Sequence, residues 1–225
     1  EINPLLLGII KLIRNNYCFF VYSAFVIFIT LYSYEKLPQL YYLNDEWLSL
    51  AGVYVNGIKS VIGSYSIIEL LTGKGRVLGT LLINSYYLFF PYNMLPFTLT
   101  SYFFHILNSL LVYIFIRKLS KSELISAFTG IFFVTASVSN QTFSWTANVT
   151  QVPTSTTFIL LSLLFMLIYS QKDKFRYFVL AWLCGYVAFL FKDSSFYIFL
   201  FLPIYQYLLS MKVKSVWKIY KVNFI

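Results

Sequence analysis

The chain of 225 residues is 59% hydrophobic and 21% aromatic, and only 11% of its residues are charged. Soluble domains carry about a quarter charged residues, so this composition excludes an ordinary soluble domain and indicates an all-α polytopic membrane protein. The net charge of +9 does not indicate nucleic-acid binding, because the basic residues form short clusters between apolar runs, as cytoplasmic loops do.

The chain begins with residues 1–16, which we expect to form a helix on the cytoplasmic membrane surface rather than a span. A spanning helix needs about 20 mostly apolar residues. Stretches of this kind define a transmembrane domain over residues 17–211. They cover roughly residues 17–37, 98–116, 123–141, 152–170, 176–192 and 194–211, which predicts about six spans.

Clusters of Lys and Arg indicate how these spans are oriented. The clusters precede the first span and follow the second, fourth and sixth. If all of them are cytoplasmic, the N-terminus and the basic segment 212–225 are cytoplasmic and the intervening loops face outward, as in a bacterial inner-membrane protein. Because the chain begins with Glu1 and ends without a soluble domain, we expect a partial or processed chain.

The predicted outer loop, residues 38–97, is long enough that we expect it to have a function of its own. Two of its segments are apolar but too short or too polar to span, namely SYSIIELL (64–71) and GTLLINSYYLFF (79–90). We expect both to be helices that lie in the membrane interface.

Polar residues near the outer boundary are candidates for a functional site, because ionisable groups near the membrane core are costly and usually paired or functional. The adjacent carboxylates of Asp45 and Glu46 could hold a divalent cation, Mg²⁺ or Mn²⁺, or take a proton from a hydroxyl. Alternatively, they are a solvated turn with Asp45 as a helix cap. Arg76 could bind phosphate through its fork, or it could anchor the chain at lipid headgroups.

Two pairs of residues in the predicted spans carry similar alternatives. His105 and Asn108 lie three residues apart, so they share one helix face and could meet the same partner. A histidine inside a span is more often an interhelical hydrogen-bond partner than a catalyst. Lys192 and Asp193 could bind a lipid phosphate, or Lys192 could extend toward the headgroups while Asp193 caps the next helix.

The order of these features resembles a known family, the GT-C glycosyltransferases that use polyprenyl-phosphate sugars, of the protein O-mannosyltransferase and aminoarabinose-transferase type. The resemblance covers roughly residues 40–205. Its motifs are NDEW, GRVLGTLLINSYYLF with Val77 in place of the usual Pro, HILNSLLVYIFIRKLS, FSWTANVTQ and LFKDSSFYIFLFLP. Asn148 and Gln151 stand where the family pattern carries Arg and Asp after Trp145.

The resemblance implies a role for each candidate. Asp45 would be the catalytic base or a metal-contacting acid, with Glu46 beside it, and Arg76 and Lys192 would bind the donor phosphate. The remaining candidates would line the pocket, namely His105, Asn108, Trp145 and Asp193. The implied reaction is inverting transfer of a sugar from a polyprenyl-phosphate donor to an acceptor hydroxyl on the outer side. An alternative is a non-catalytic subunit that uses a degenerate GT-C fold as a scaffold for protein partners in a membrane complex.

Overall fold

The computed structural model describes residues 16–36, 44–57, 59, 68, 76–136 and 146–222. Side chains are described for these residues except 44–46, 146–147 and 211–222. The described part of the chain is helical and contains no β-strand, which confirms the predicted all-α class. The surface helix predicted for residues 1–16 and the helix predicted for residues 64–71 lie outside it, apart from Asn16 and Ile68.

Nine α-helices are described. They are α1 (Tyr17–Ser33), α2 (Asn44–Asn56), α3 (Val77–Phe89), α4 (Leu95–Ser120), α5 (Glu123–Thr135), α6 (Thr146–Val149), α7 (Val152–Lys172), α8 (Phe175–Phe191) and α9 (Tyr197–Val222). A short 3-10 turn, Asp193–Phe196, connects α8 to α9.

Each of the predicted spans contains one of these helices, namely α1, α4, α5, α7, α8 and α9. Within the described residues, two helices, α4 and α7, are long and apolar enough to cross a membrane. Six crossings stay a prediction. The segment 79–90, predicted to be a helix, lies almost entirely in α3.

Local sequence explains where the two long helices begin and end. Pro96 and Pro153 lie in the first turns of α4 and α7, where a missing backbone N–H costs no hydrogen bond. Both helices end at a residue in the left-handed conformation, Lys121 with φ 58° and Asp173 with φ 49°. Helix α5 then begins with a side-chain cap, since the Ser122 hydroxyl accepts a hydrogen bond from the backbone N–H of Ile125 at 3.4 Å.

The long helices α4 and α7 pack against each other and divide the others into two groups. Helices α1 and α5 pack on α4, around a cluster of Tyr22, Val26, Tyr113 and Val134. Helices α8 and α9 pack on α7, around Met166, Ala181, Ile198 and Leu202. Helix α2 packs on α3, and α3 packs on α8.

Small and hydroxyl-bearing residues make the closest helix contacts. Ser155 donates a hydrogen bond to the carbonyl of Ala188 at 2.9 Å, and Ser162 donates one to the carbonyl of Ala181 at 2.7 Å. The two donors and the two acceptors have the same spacing along α7 and α8, so the antiparallel pair keeps one register over two helical turns. Packing of this kind is typical of helices in membranes, where small side chains let the backbones approach closely.

Contacts between helix ends show which termini lie together. Tyr102 donates a hydrogen bond to the carbonyl of Tyr34 at 2.6 Å, which joins the first part of α4 to the end of α1. The hydroxyls of Ser155 and Ser195 are 2.5 Å apart, which joins the start of α7 to the turn before α9. The starts of α4, α7 and α9 therefore lie at the same end of the bundle as the ends of α1, α5 and α8. We call this the Arg76 end, because Arg76 lies there.

Candidate functional site

Arg76 joins three segments that are distant in sequence. Its Nε donates to Oδ1 of Asp193 at 3.2 Å, across 117 residues of chain. Its Nη1 donates to Oε1 of Gln151 at 3.1 Å, across 75 residues. The guanidinium is thus held between the start of α7 and the turn after α8, and its orientation is defined by two acceptors.

Lys192 adds a second cation to this group. It immediately precedes Asp193, the partner of Arg76, and follows Phe191, whose carbonyl oxygen lies against α3 at Gly79. Lys192 is therefore the chain neighbour of the Arg76–Asp193 ion pair. Among the side chains that the structure describes here, two cations and one carboxylate give this group a surplus positive charge.

Asp193 is the internal counter-ion of the group. Its Oδ1 accepts from the backbone N–H of Ser194 at 2.9 Å as well as from Arg76. The side chains of Arg76 and Asp193 are 40% and 53% exposed, so solvent screens their ion pair. Exposed ion pairs contribute only about 0–1 kcal/mol to stability, so a soluble anion can compete with this carboxylate for Arg76.

Gly79 lets the three segments meet. A Cβ atom on Gly79 would lie 2.6 Å from Cγ of Gln151 and 2.9 Å from the carbonyl oxygen of Phe191. Real side chains do not tolerate contacts this short, so only glycine allows α3 to rest on the end of α8 and against Gln151. Arg76 immediately precedes this helix, and the contact therefore fixes where Arg76 lies.

The structure places His105 and Asn108 in interhelical hydrogen bonds. His105 is buried, and its Nε2 lies 3.1 Å from the carbonyl oxygen of Val134 in α5. Asn108 is also buried; its Nδ2 donates to the carbonyl of Pro153 at 2.9 Å, and its Oδ1 accepts from Thr157 at 2.6 Å. The two residues therefore join α4 to different neighbours, and their predicted role in lining a pocket stays a prediction.

The remaining predicted site residues are only partly described. The backbone of Asp45 and Glu46 forms the first turn of α2, but their side chains lie outside the described residues, as does Trp145. Helix α2 packs through Leu50 and Val53 onto α3, the helix that follows Arg76. The acidic pair therefore belongs to a helix that packs on α3 at Ile83 and Tyr87, and the structure does not describe where the two carboxylates lie relative to Arg76.

A metal site is not formed by the described side chains, since no three His, Cys, Asp or Glu residues among them lie together. The tentative assignment of Asp45 to a divalent cation stays a prediction.

Gln151 is a member of the site that the sequence analysis placed in an outer loop without giving it a role. Its position just before the Val152–Pro153 helix start was visible in the sequence, but its contact with Arg76 depends on how α3 docks. Comparison of the chain with protein families, with curated proteins and with solved structures gives no match.

Proposed function

We propose that this chain is an integral membrane protein that binds the phosphate of a polyprenyl-phosphate sugar at its Arg76 end and transfers the sugar to an acceptor on the outer side of the membrane. The observation that carries the proposal is the ion pair of Arg76 with Asp193, the residue next to Lys192, which brings two cations to one carboxylate among the described side chains.

The distribution of side chains supports a membrane environment. Large apolar side chains point outward; Phe28, Phe132 and Leu200 are 66%, 76% and 66% exposed. Small polar side chains are buried between the helices, including Ser109, Ser126, Thr157 and Ser162. In water this arrangement would be unfavourable, whereas lipid stabilises exposed apolar surface and favours small polar residues at helix contacts. Six membrane crossings, through α1, α4, α5, α7, α8 and α9, would place the exposed apolar side chains in lipid.

The Arg76 group suits a phosphate that carries a lipid tail. An arginine fork binds phosphate oxygens through paired N–H donors, and a lysine supplies a further point charge. Both cations lie near the point where α3, α7 and α8 meet, at a bundle end. Helix α9, which begins just after Asp193, exposes apolar faces through Tyr197, Leu200 and Phe201. A lipid tail can therefore lie along those faces while its phosphate reaches Arg76.

The transfer step follows from the chemistry of such a donor. An acceptor hydroxyl attacks the anomeric carbon, the bond from that carbon to the phosphate oxygen breaks, and the lipid phosphate leaves with the bonding electron pair. Arg76 and Lys192 stabilise the negative charge that develops on this leaving group. The hydroxyl proton passes to a carboxylate, for which the family resemblance favours Asp45.

Binding is tested with farnesyl phosphate, a short polyprenyl phosphate, on the full chain in detergent micelles. We expect Arg76→Met and Lys192→Met each to weaken binding about tenfold or more, since charge-assisted hydrogen bonds contribute about 1.5–3 kcal/mol and 1.4 kcal/mol is tenfold. Farnesol, which lacks the phosphate, should bind the variants and the parent chain equally. The matched controls are Arg176→Met and Lys118→Met, exposed cations at the opposite end of the bundle. Unchanged affinity in both site variants would refute the proposed phosphate site.

Transfer is tested separately through Asp45. We expect Asp45→Asn to bind farnesyl phosphate normally but to lose release of polyprenyl phosphate from a panel of polyprenyl-phosphate hexoses, because an amide cannot accept the hydroxyl proton. If Asp45→Asn turns over as fast as the parent chain, Asp45 is not the base. If the parent chain binds farnesyl phosphate but releases none from any donor, the scaffold alternative replaces transfer.

A further inference from the structure

Gln151 is the residue that fixes the guanidinium of Arg76 without neutralising it. Its Oε1 accepts from Nη1 of Arg76 at 3.1 Å, while Asp193 accepts from Nε on another edge of the same group. We propose that Gln151 is a positioning residue: it holds Arg76 so that an incoming phosphate can replace Asp193 without the arginine moving. This inference rests on the proposed phosphate site.

The chemistry of glutamine suits this role better than the alternatives. Arginine has only donors, so its partner must be an acceptor, and this settles that the amide oxygen faces Arg76. A carboxylate at this position would orient Arg76 equally well, but it would cancel the surplus charge that attracts phosphate. An apolar side chain would leave Nη1 without its partner and free the arginine to change rotamer. A neutral amide therefore orients the arginine and preserves its charge.

The surroundings of Gln151 keep it in place. The residue is only 8% exposed, and its Cβ and Cγ fill the space that Gly79 leaves open, 3.5 and 2.6 Å from where a Cβ on Gly79 would lie. A buried side chain with fixed neighbours can orient a half-exposed one, because its own rotamer is set by packing. Arg76 is exposed enough to meet a ligand, and Gln151 supplies the rigid contact behind it.

The backbone of Gln151 has a structural role that is separate from the positioning role of its side chain. Its backbone N–H donates to the carbonyl of Asn148 at 3.0 Å, and its carbonyl accepts from the N–H of Ser155 at 2.9 Å. These bonds form the start of α7 and do not involve the side chain. Substitutions of the side chain therefore change the contact with Arg76 and leave the helix start intact.

The test is a double-mutant cycle, with farnesyl phosphate as the probe and the full chain in detergent. We expect Gln151→Met, which keeps the length but lacks the amide, to weaken binding about five- to tenfold. In an Arg76→Met background the same change should have little further effect, because Gln151 acts through Arg76. Asn148→Leu, a change from amide to apolar side chain in the same short segment, should leave affinity unchanged. Gln151→Asn is one methylene too short to reach Nη1 and should lose affinity as Gln151→Met does. It replaces Gln151→Met in the cycle if Gln151→Met does not fold.

The outcomes distinguish this inference from the function on which it rests. If Arg76→Met and Lys192→Met bind farnesyl phosphate normally, the phosphate site itself is wrong. If Arg76→Met loses affinity but neither Gln151 variant does, the phosphate site stands and the positioning role is wrong. A loss from Gln151→Met that persists in full in the Arg76→Met background also overturns the positioning role, because it shows a general structural effect.

Discussion

Arg76 breaks two local rules at once. It occupies the N-cap position of α3 in the left-handed conformation, with φ 54° and ψ 51°, and its side chain makes no capping hydrogen bond. Helix N-caps are usually Ser, Thr, Asp or Asn with extended backbone, and a left-handed backbone costs a non-glycine residue about 1–2 kcal/mol. Such departures from local preference concentrate at functional sites. The side chain reaches Gln151 and Asp193 instead of the helix terminus.

Asp193 occupies the position on Arg76 that we assign to the ligand. We expect Asp193→Asn to bind farnesyl phosphate about three- to tenfold more tightly than the parent chain, since the competing carboxylate is gone and the surplus positive charge increases. The asparagine Oδ1 can still accept from the backbone N–H of Ser194, so the turn before α9 should persist.

Isothermal titration of the parent chain and Asp193→Asn at several salt concentrations measures this effect. The difference should shrink as salt is added, because half-exposed charges are screened. Asp173→Asn, which removes a carboxylate at the opposite end of α7, is the control and should leave affinity unchanged. Weaker binding by Asp193→Asn would mean that this carboxylate supports the ligand rather than competing with it.

Hydropathy predicted most of the described helices. Every predicted span contains helix. This is expected of long apolar runs, because in lipid a segment must form its backbone hydrogen bonds internally, as a helix does. Helix α4 begins at Leu95, three residues before the predicted span, because Pro96 fits the first helical turn. Helix α2 begins at Asn44, so Asp45 lies inside its first turn and not at the cap position that the solvated-turn alternative gave it.

The candidate site depends on the docking of α3, which the sequence could not show. The family resemblance assigned Arg76 and Lys192 to one ligand; the structure pairs Arg76 with Asp193, the neighbour of Lys192, and the shared ligand stays a prediction. The contact of Gln151 with Arg76 requires the α3 backbone to rest on Phe191, which Gly79 alone permits. A glycine in an apolar stretch of sequence does not by itself indicate such a contact. Likewise, the partners of His105 and Asn108 follow from the register of α4 against α5 and α7.

The whole molecule has chemically different ends, which suits a membrane protein with one outward site. The end opposite Arg76 carries a dense set of basic residues in the connections α4–α5 and α7–α8: Arg117, Lys118, Lys121, Lys172, Lys174 and Arg176. Arg117 pairs there with Glu123, which also accepts a hydrogen bond from Tyr113. Such clusters remain in the cytoplasm, so the Arg76 end should face outward, where a lipid-linked sugar presents its head.

Cysteine labelling tests this orientation. In a chain with Cys18 and Cys184 changed to Ala, we place one cysteine at Ser194, at the Arg76 end, or at Ser120, at the basic end; both serines are exposed. A membrane-impermeant maleimide added to intact bacterial spheroplasts should label Ser194→Cys and should label Ser120→Cys only after lysis. The pair is matched, since each change replaces one hydroxyl with one thiol. The reverse pattern would place the Arg76 group in the cytoplasm and exclude an outward site, whereas labelling of both before lysis would contradict a chain that crosses the membrane between them.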